Sequence, residues 1–105
     1  MIDKRFNKKN QDLILELVAS EFVCTIEDLL SRNRSARNSN ARHVAMVLMR
    51  NLLDCTLTEI GDVFSRDYSI VIHAKKKIDT DKKLIGVALR VAMQYKSLSE
   101  IPDSQ

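Results

Sequence analysis

Turn-forming residues are scarce in this sequence, whose 105 residues include two glycines and one proline. All-β folds and glycine-cradled phosphate sites need more turn residues than that, so the composition favours helices joined by short polar links. No G-x-x-x-x-G-K-[ST] run occurs, which removes the phosphate cradle of the common nucleotide hydrolases. The two cysteines, Cys24 and Cys55, form no CxxC pair and give neither a zinc spacing nor a disulfide framework. Each has apolar neighbours, so buried free thiols are expected, in keeping with the reducing cytoplasm. No apolar run is long enough to span a membrane, and the charged N-terminus lacks a signal-peptide core. Paired carboxylates, a nucleophile with its base and metal-ligand spacings are also missing, so no enzyme, cofactor or metal site is expected.

Hydrophobic residues make up 45% of the chain, enough for one globular domain over residues 1–105, with its core within about 10–98. The formal net charge is a modest +3, but its distribution is uneven. Leu29 to Leu53 contains five arginines (Arg32, Arg34, Arg37, Arg42 and Arg50) and no acidic residue. Lys75, Lys76 and Lys77 form a second basic group. A basic run is often just a solvated face, so the clusters acquire meaning only from their placement.

Periodicity predicts about six helices. From Asn10, the residues Leu13, Leu17, Val18 and Phe22 recur at helical spacing. Thr25-Ile-Glu-Asp28 has capping-box spacing and should open a short helix carrying Ile26, Leu29 and Leu30. Ser31–Asn40 lacks apolar period and reads as a loop, with Ser39 or Asn40 starting the next helix. That helix should bury Val44, Ala45, Leu48 and Leu52 and turn Arg42 and Arg50 to solvent. Thr56-Leu-Thr-Glu59 is a fuller capping box, followed by Ile60, Val63 and Phe64 facing inward. Gly61 within this helix costs about 1 kcal/mol relative to Ala, so another helix should pass close to it. Ser65-Arg66-Asp67 breaks the pattern, and Asp67 can cap a helix burying Val71, Ala74 and Ile78. Asp79-Thr-Asp81 is a second break. The last helix runs from Lys82 to about Ser97 with Leu84, Ala88, Val91, Ala92 and Tyr95 inward, and the tail from Ser99 should fray.

Residues 56–78 form a short capped helix, a tight link and a longer helix, which is the outline of a helix-turn-helix. In that motif the second helix lies in the major groove with its N-terminal residues at base edges. Here that end offers Arg66, Asp67, Tyr68 and Ser69: a guanidinium suited to guanine, a carboxylate that can accept from cytosine, and hydroxyls. The bland reading leaves Asp67 as a cap and Arg66 as a solvated side chain. Arg32 and Arg34 on a loop could enter a minor groove. Arg42, His43 and Arg50 could contact the phosphate backbone, which positions a protein without specifying sequence. His73, set among apolar residues, reads as structural and hydrogen-bonded rather than as a ligand or base.

The stretch from Asp28 to Ile78 resembles the C-terminal DNA-binding domain of the DnaA family of bacterial replication initiators. The likeness rests on Asp28-Leu-Leu-Ser31 and the arginine-rich segment behind it, Ala45-Met46 with Leu48, and Leu57 with Glu59-Ile-Gly-Asp62. Phe64, Arg66-Asp67, Val71, His73-Ala74 and Lys77-Ile78 complete it. The resemblance implies an all-α helix-turn-helix domain that reads double-stranded DNA at an origin-like site, alone or with other replication proteins, near the cytoplasmic nucleoid. It also implies roles. Arg34 and Arg42 match minor-groove arginines, and Leu57 and Thr58 the contact point of the first motif helix. Asp67, Tyr68 and Ser69 match the base-reading trio, Arg50 a phosphate-facing lysine, and Lys76 and Lys77 a basic pair.

The departures cluster at the reading end. Tyr68 stands where the family has His, Ser69 and Ile70 where it has Thr, and Ser65 alone replaces a two-glycine turn. Thr58 and Ala41 replace prolines, and two basic loop positions are Asn33 and Ala36. A full initiator resembles this chain only at its end, so the chain is either a fragment or a free-standing reader. The competing roles are a transcription regulator, a mobile-element targeting module, or a protein-interaction domain that has lost DNA. For the last of these, an exposed Ile70 would be the contact.

Overall fold

The computed structural model describes residues 8–32 and 35–99, so the N-terminal arm up to Asn7 and the tail from Glu100 lie outside the described residues. Six helices follow in order: α1 (Lys8–Phe22), α2 (Ile26–Leu30), α3 (Ala36–Leu52), α4 (Leu57–Val63), α5 (Ser69–Asp79) and α6 (Lys82–Ser99). The expected all-α, six-helix architecture is the observed one, with no strand among the described residues.

Helix α3 is the hub and packs against all five others. Ala41, Val44, Ala45, Met46, Leu48 and Met49 are all buried on it, so its apolar surface wraps around the helix rather than forming one stripe. A helix that is apolar on several faces belongs at the centre of a fold. Leu52, expected in the stripe, is only partly buried.

On α1 the buried apolar residues are Ile14, Leu15, Val18 and Ala19, whereas Leu13, Leu17 and Phe22 are only partly buried. The expected face is therefore rotated, because α1 packs on α2, α3 and α6 together. Arg90 of α6 grips Glu21 of α1 through Nη2 at 2.7 Å and Nε at 2.9 Å, pinning the crossing of these two helices. Leu84, Ala88, Val91 and Tyr95 of α6 are buried, as their spacing predicts, whereas Ala92, also expected inward, is only partly buried.

Both capping boxes form. Thr25 Oγ1 accepts from Asp28 N at 3.0 Å, and Asp28 Oδ2 accepts from Thr25 N at 3.0 Å. The same exchange joins Thr56 and Glu59 at 3.1 Å and 2.7 Å. Each box satisfies two amide donors that the first turn of a helix leaves free. Leu29 is fully buried on α2 while Leu30 faces solvent.

The start of α3 differs from the expectation. It begins at Ala36 with Ser35 as cap, whose Oγ accepts from Asn38 N at 3.2 Å, and not at Ser39 or Asn40. The polar first turn hides the helix from a hydrophobicity pattern, yet Asn38 is only 1% exposed and Arg37 donates to it at 3.2 Å. Cys55 is buried as expected, whereas Cys24 is half-buried, and neither is in a disulfide.

Candidate nucleic-acid interface

Helices α4 and α5 with their link form a compact helix-turn-helix. Helix α4 ends in an αL residue, Ser65 (φ 55°), with Ser65 N donating to Asp62 O at 3.1 Å and Arg66 N to Gly61 O at 2.8 Å. These 5→2 and 6→1 bonds are those of a Schellman turn, which satisfies the last carbonyls of the helix. The chain then doubles back over α4. A Cβ built on Gly61 would lie 2.6 Å from the Arg66 carbonyl oxygen, a distance no real Cβ tolerates. Gly61 is thus required by close approach, but what approaches is the motif turn itself and not another helix.

Asp67 opens α5. Its Oδ2 accepts from Ser69 N at 3.1 Å and from Ser69 Oγ at 2.6 Å. These bonds favour the ionised form and hold the Asp67 carboxyl below its ordinary range. Asp67 and Ser69, two of the predicted base readers, are therefore coupled before any DNA is present. Tyr68 stands beside them, 53% exposed.

Val71, Ala74 and Ile78 are buried on the inner side of α5, as predicted. Helical geometry then sends Ser69, Ile72, His73 and Lys76 outward, and all four are exposed. The expectation of a structural, hydrogen-bonded His73 is wrong, because the ring lies on the solvent face. Ile72, 42% exposed, lies on the same outer face and was not among the candidate site residues. The spacing that fixed the buried trio would have found both. Ile70, by contrast, is half-buried and packs against the core, so it is not the exposed apolar contact imagined for a protein-interaction surface.

The arginines contain the largest surprise. Arg42 was expected to face solvent, yet it is 5% exposed. Its Nη1 reaches the carbonyls of Asp28 at 3.2 Å, Leu29 at 3.3 Å and Ser31 at 3.0 Å. Any helix leaves its last carbonyls without partners of its own; here Ser31 N and Oγ reach Asp28 O, and the guanidinium adds to them as a cation at a helix C-terminus should. Arg66 folds back as well, donating from Nη1 to Phe64 O at 3.0 Å and from Nη2 to Ser31 O at 3.2 Å. Arg32 Nη2 reaches Ser65 O at 3.5 Å. Ser31 O thus accepts from two guanidiniums, which clasp the end of α2 to α3 and to the motif turn.

Beside the clasp, His43 is half-buried, and its Nδ1 is buried without a hydrogen-bond partner. Burial lowers its pKa first, and Lys77, Arg42, Arg66 and His73 lower it further. At the other end of α3, Arg50 Nη1 donates to Cys55 O at 2.8 Å and steadies the link into α4. Leu57 there is partly buried and Thr58 exposed. Lys76 and Lys77 are exposed in the last turn of α5. Arg34 lies outside the described residues.

This arrangement defines a helix-turn-helix domain of the DNA-binding class: a capped reading helix with a polar, basic outer face, seated on a clasped support. Residues 11–78 match the family model of the bacterial dnaA protein helix-turn-helix, and the chain belongs to that family. It is 41% identical over 71 residues to the chromosomal replication initiator protein DnaA of Aquifex aeolicus, covering 67% of this chain and 18% of that one. It is 42% identical over 73 residues to the DnaA protein of Desulfotalea psychrophila, covering 70% of this chain and 15% of that one. A solved chain described as the crystal structure of a DNA replication initiation factor agrees with a TM-score of 0.75 at 33% identity, over 87% of this chain and 30% of that chain. The chain thus spans less than a fifth of the length of these two curated relatives.

Proposed function

We propose that this domain binds duplex DNA sequence-selectively at DnaA-box-like sites, in or alongside replication initiation, and hydrolyses no nucleotide. The observation that carries the reading is the outer face of α5. Asp67 and Ser69 are preset by their mutual hydrogen bonds, and Tyr68, Ile72, His73 and Lys76 are exposed beside them. In the major groove, Asp67 accepts from a cytosine amine, Ser69 and His73 reach base edges, and Ile72 meets a thymine methyl. Arg34 enters the neighbouring minor groove. Arg32, Lys76 and Lys77 contact phosphates, and so does Arg50 beyond its bond to Cys55. Leu57 and Thr58 meet the backbone at the start of α4.

Arg42 has a different part in this reading. Buried under the clasp, it positions the segment that holds Arg32 and Arg34 without entering the groove itself. Arg66 does likewise for the motif turn.

Fluorescence anisotropy over a salt series tests the proposal with three duplexes: a DnaA box, the same box scrambled, and a random sequence. The box should bind most tightly, and all binding should weaken steeply as salt rises and counterion release loses its driving force. Arg34→Ala should weaken the box complex by roughly 10- to 100-fold, the cost of one good base contact. Equal binding to all three duplexes would keep DNA binding and remove the site preference. No binding even at low salt would sink the reading.

A further inference from the structure

A cleft of about 300 Å³ opens between α3 and the motif turn, lined by Ser39, Arg42, His43, Met46, Arg66 and Ile70. It lies on the flank of the reading helix, where a DNA backbone passes when such a helix sits in the major groove. Among the described residues, Arg66 uses two of its N–H groups on carbonyls, and a guanidinium carries five. His43 has one ring nitrogen with no partner. The charged and titratable groups that face His43 come from three places: Arg42 on its own helix, Arg66 from the turn, and His73 and Lys77 from α5. All are cationic or neutral. Burial first, and then that company, push the His43 pKa down and favour its neutral form. A phosphate reverses the sign, because an anion at hydrogen-bond distance favours the imidazolium.

Building on the duplex-binding reading above, we propose that this cleft is a proton-linked phosphate clamp. A phosphate group of the bound duplex seats between Arg66 and His43, and His43 takes up a proton from solvent as it does. Binding then tightens as pH falls, across the interval between the free and the bound pKa of His43. Each unit of separation between the two corresponds to a tenfold gain in affinity, by linkage.

The test is an NMR titration of the histidine Hε1 resonances in the intact chain, free and bound to duplex. His43→Gln and His73→Gln serve for assignment. The pKa of His43 should rise by about one unit or more with duplex bound. Duplex affinity should rise several-fold from about pH 8 to about pH 6, near the histidine range. That rise should vanish in His43→Gln and persist in His73→Gln. Inorganic phosphate at high concentration separates the two sources of the anion. If it also lifts the His43 pKa, the cleft takes a phosphate group unaided; if the duplex alone does so, the backbone must be positioned by the rest of the interface. A His43 pKa equal in the free and bound chains overturns the clamp while leaving DNA binding intact. So does a pH response that disappears with His73 and not with His43. Absence of any duplex binding overturns the clamp and the function reading together.

Discussion

Two turns of this molecule share one hydrogen-bond scheme and serve opposite ends. At the close of α1, Val23 (φ 54°) donates to Ser20 O at 3.3 Å and Cys24 to Ala19 O at 2.9 Å. At the close of α4, Ser65 (φ 55°) and Arg66 repeat that pattern on Asp62 and Gly61. Each is a Schellman turn in the same register, without the glycine that usually occupies its αL position. The difference lies four residues before the αL residue, where the first turn has Ala19 and the second Gly61. After Val23 the chain leaves the helix, so a methyl group fits at position 19. After Ser65 it doubles back, and the Arg66 carbonyl occupies the space a methyl group would need. One hydrogen-bond pattern therefore yields an open corner or a tight helix-turn-helix, depending on whether a Cβ is present.

Exchanging that feature should produce the largest effect. Gly61→Ala forces the motif turn off α4, an overpacking that costs about 1–3 kcal/mol even though alanine is the better helix former. Because the displaced turn holds Arg66 and Asp67, duplex affinity should fall along with stability. The reciprocal Ala19→Gly should cost only the helix propensity and the small buried methyl, roughly 1 kcal/mol, and leave binding unchanged. Urea unfolding and anisotropy on both variants decide the matter. If Gly61→Ala is as stable as the parent, the close approach does not shape the turn.

The two turns also lead into aspartates with different exposure to function. Asp28 completes the Thr25 capping box of α2, Asp67 accepts from Ser69 at the start of α5, and both carboxyls are held below their ordinary range by those bonds. A depressed folded pKa contributes stability that is complete above the unfolded carboxylate range and is lost as pH falls through the folded value. Acidification below about pH 4 should therefore loosen both helix starts, seen as a falling thermal midpoint by circular dichroism. Asp28→Asn and Asp67→Asn keep an oxygen for the cap and remove the titration, so each should flatten the acid limb. Only Asp67→Asn should also weaken the preferred duplex, because only Asp67 lies in the reading face. A similar loss of binding in both would mean that Asp67 acts through the fold alone.

How far the sequence reveals this structure depends on which force acts at each position. The inner faces of α5 and α6 and both capping boxes are legible, because burial and capping leave a period or a fixed spacing. The start of α3 is not, because Ser35, Arg37 and Asn38 are polar and leave no apolar period; what holds them is a local cap and one reach from Arg37 to Val23 O, at 3.4 Å. Arg42 is harder still. Its residue type says solvent, and what buries it is a row of carbonyls at the end of α2 that no local pattern announces. His73 is obscured for a different reason: its apolar neighbours suggest a core setting, although the spacing of Val71, Ala74 and Ile78 turns it outward. Gly61 lies between these cases: the need for close approach was evident, while the identity of the approaching group came only from the fold.

The smallest effect concerns the αL residues themselves, and it sharpens the comparison most. A side chain in the αL region costs about 1–2 kcal/mol relative to glycine, and a β-branched one is the worst placed. Glycine repays part of that by losing more backbone freedom on folding, about 0.5–1 kcal/mol. Val23 is 80% exposed, so Val23→Gly removes strain and sacrifices little packing, and should stabilise the domain by about 1 kcal/mol. Ser65→Gly should gain less, a few tenths of a kcal/mol, because serine is unbranched at Cβ. Ser65 is also exposed, so the change touches no core contact. Its consequence for binding is where the two turns part. A glycine at 65 widens the backbone choices of the turn that aims α5, whereas one at 23 acts far from the reading face. Thermal unfolding and duplex titration should therefore show both variants more stable than the parent, with a small loss of affinity confined to Ser65→Gly. If Ser65→Gly binds as tightly as the parent, the direction of α5 is set by Gly61 and Asp67, and the residue in the αL position serves only to end α4.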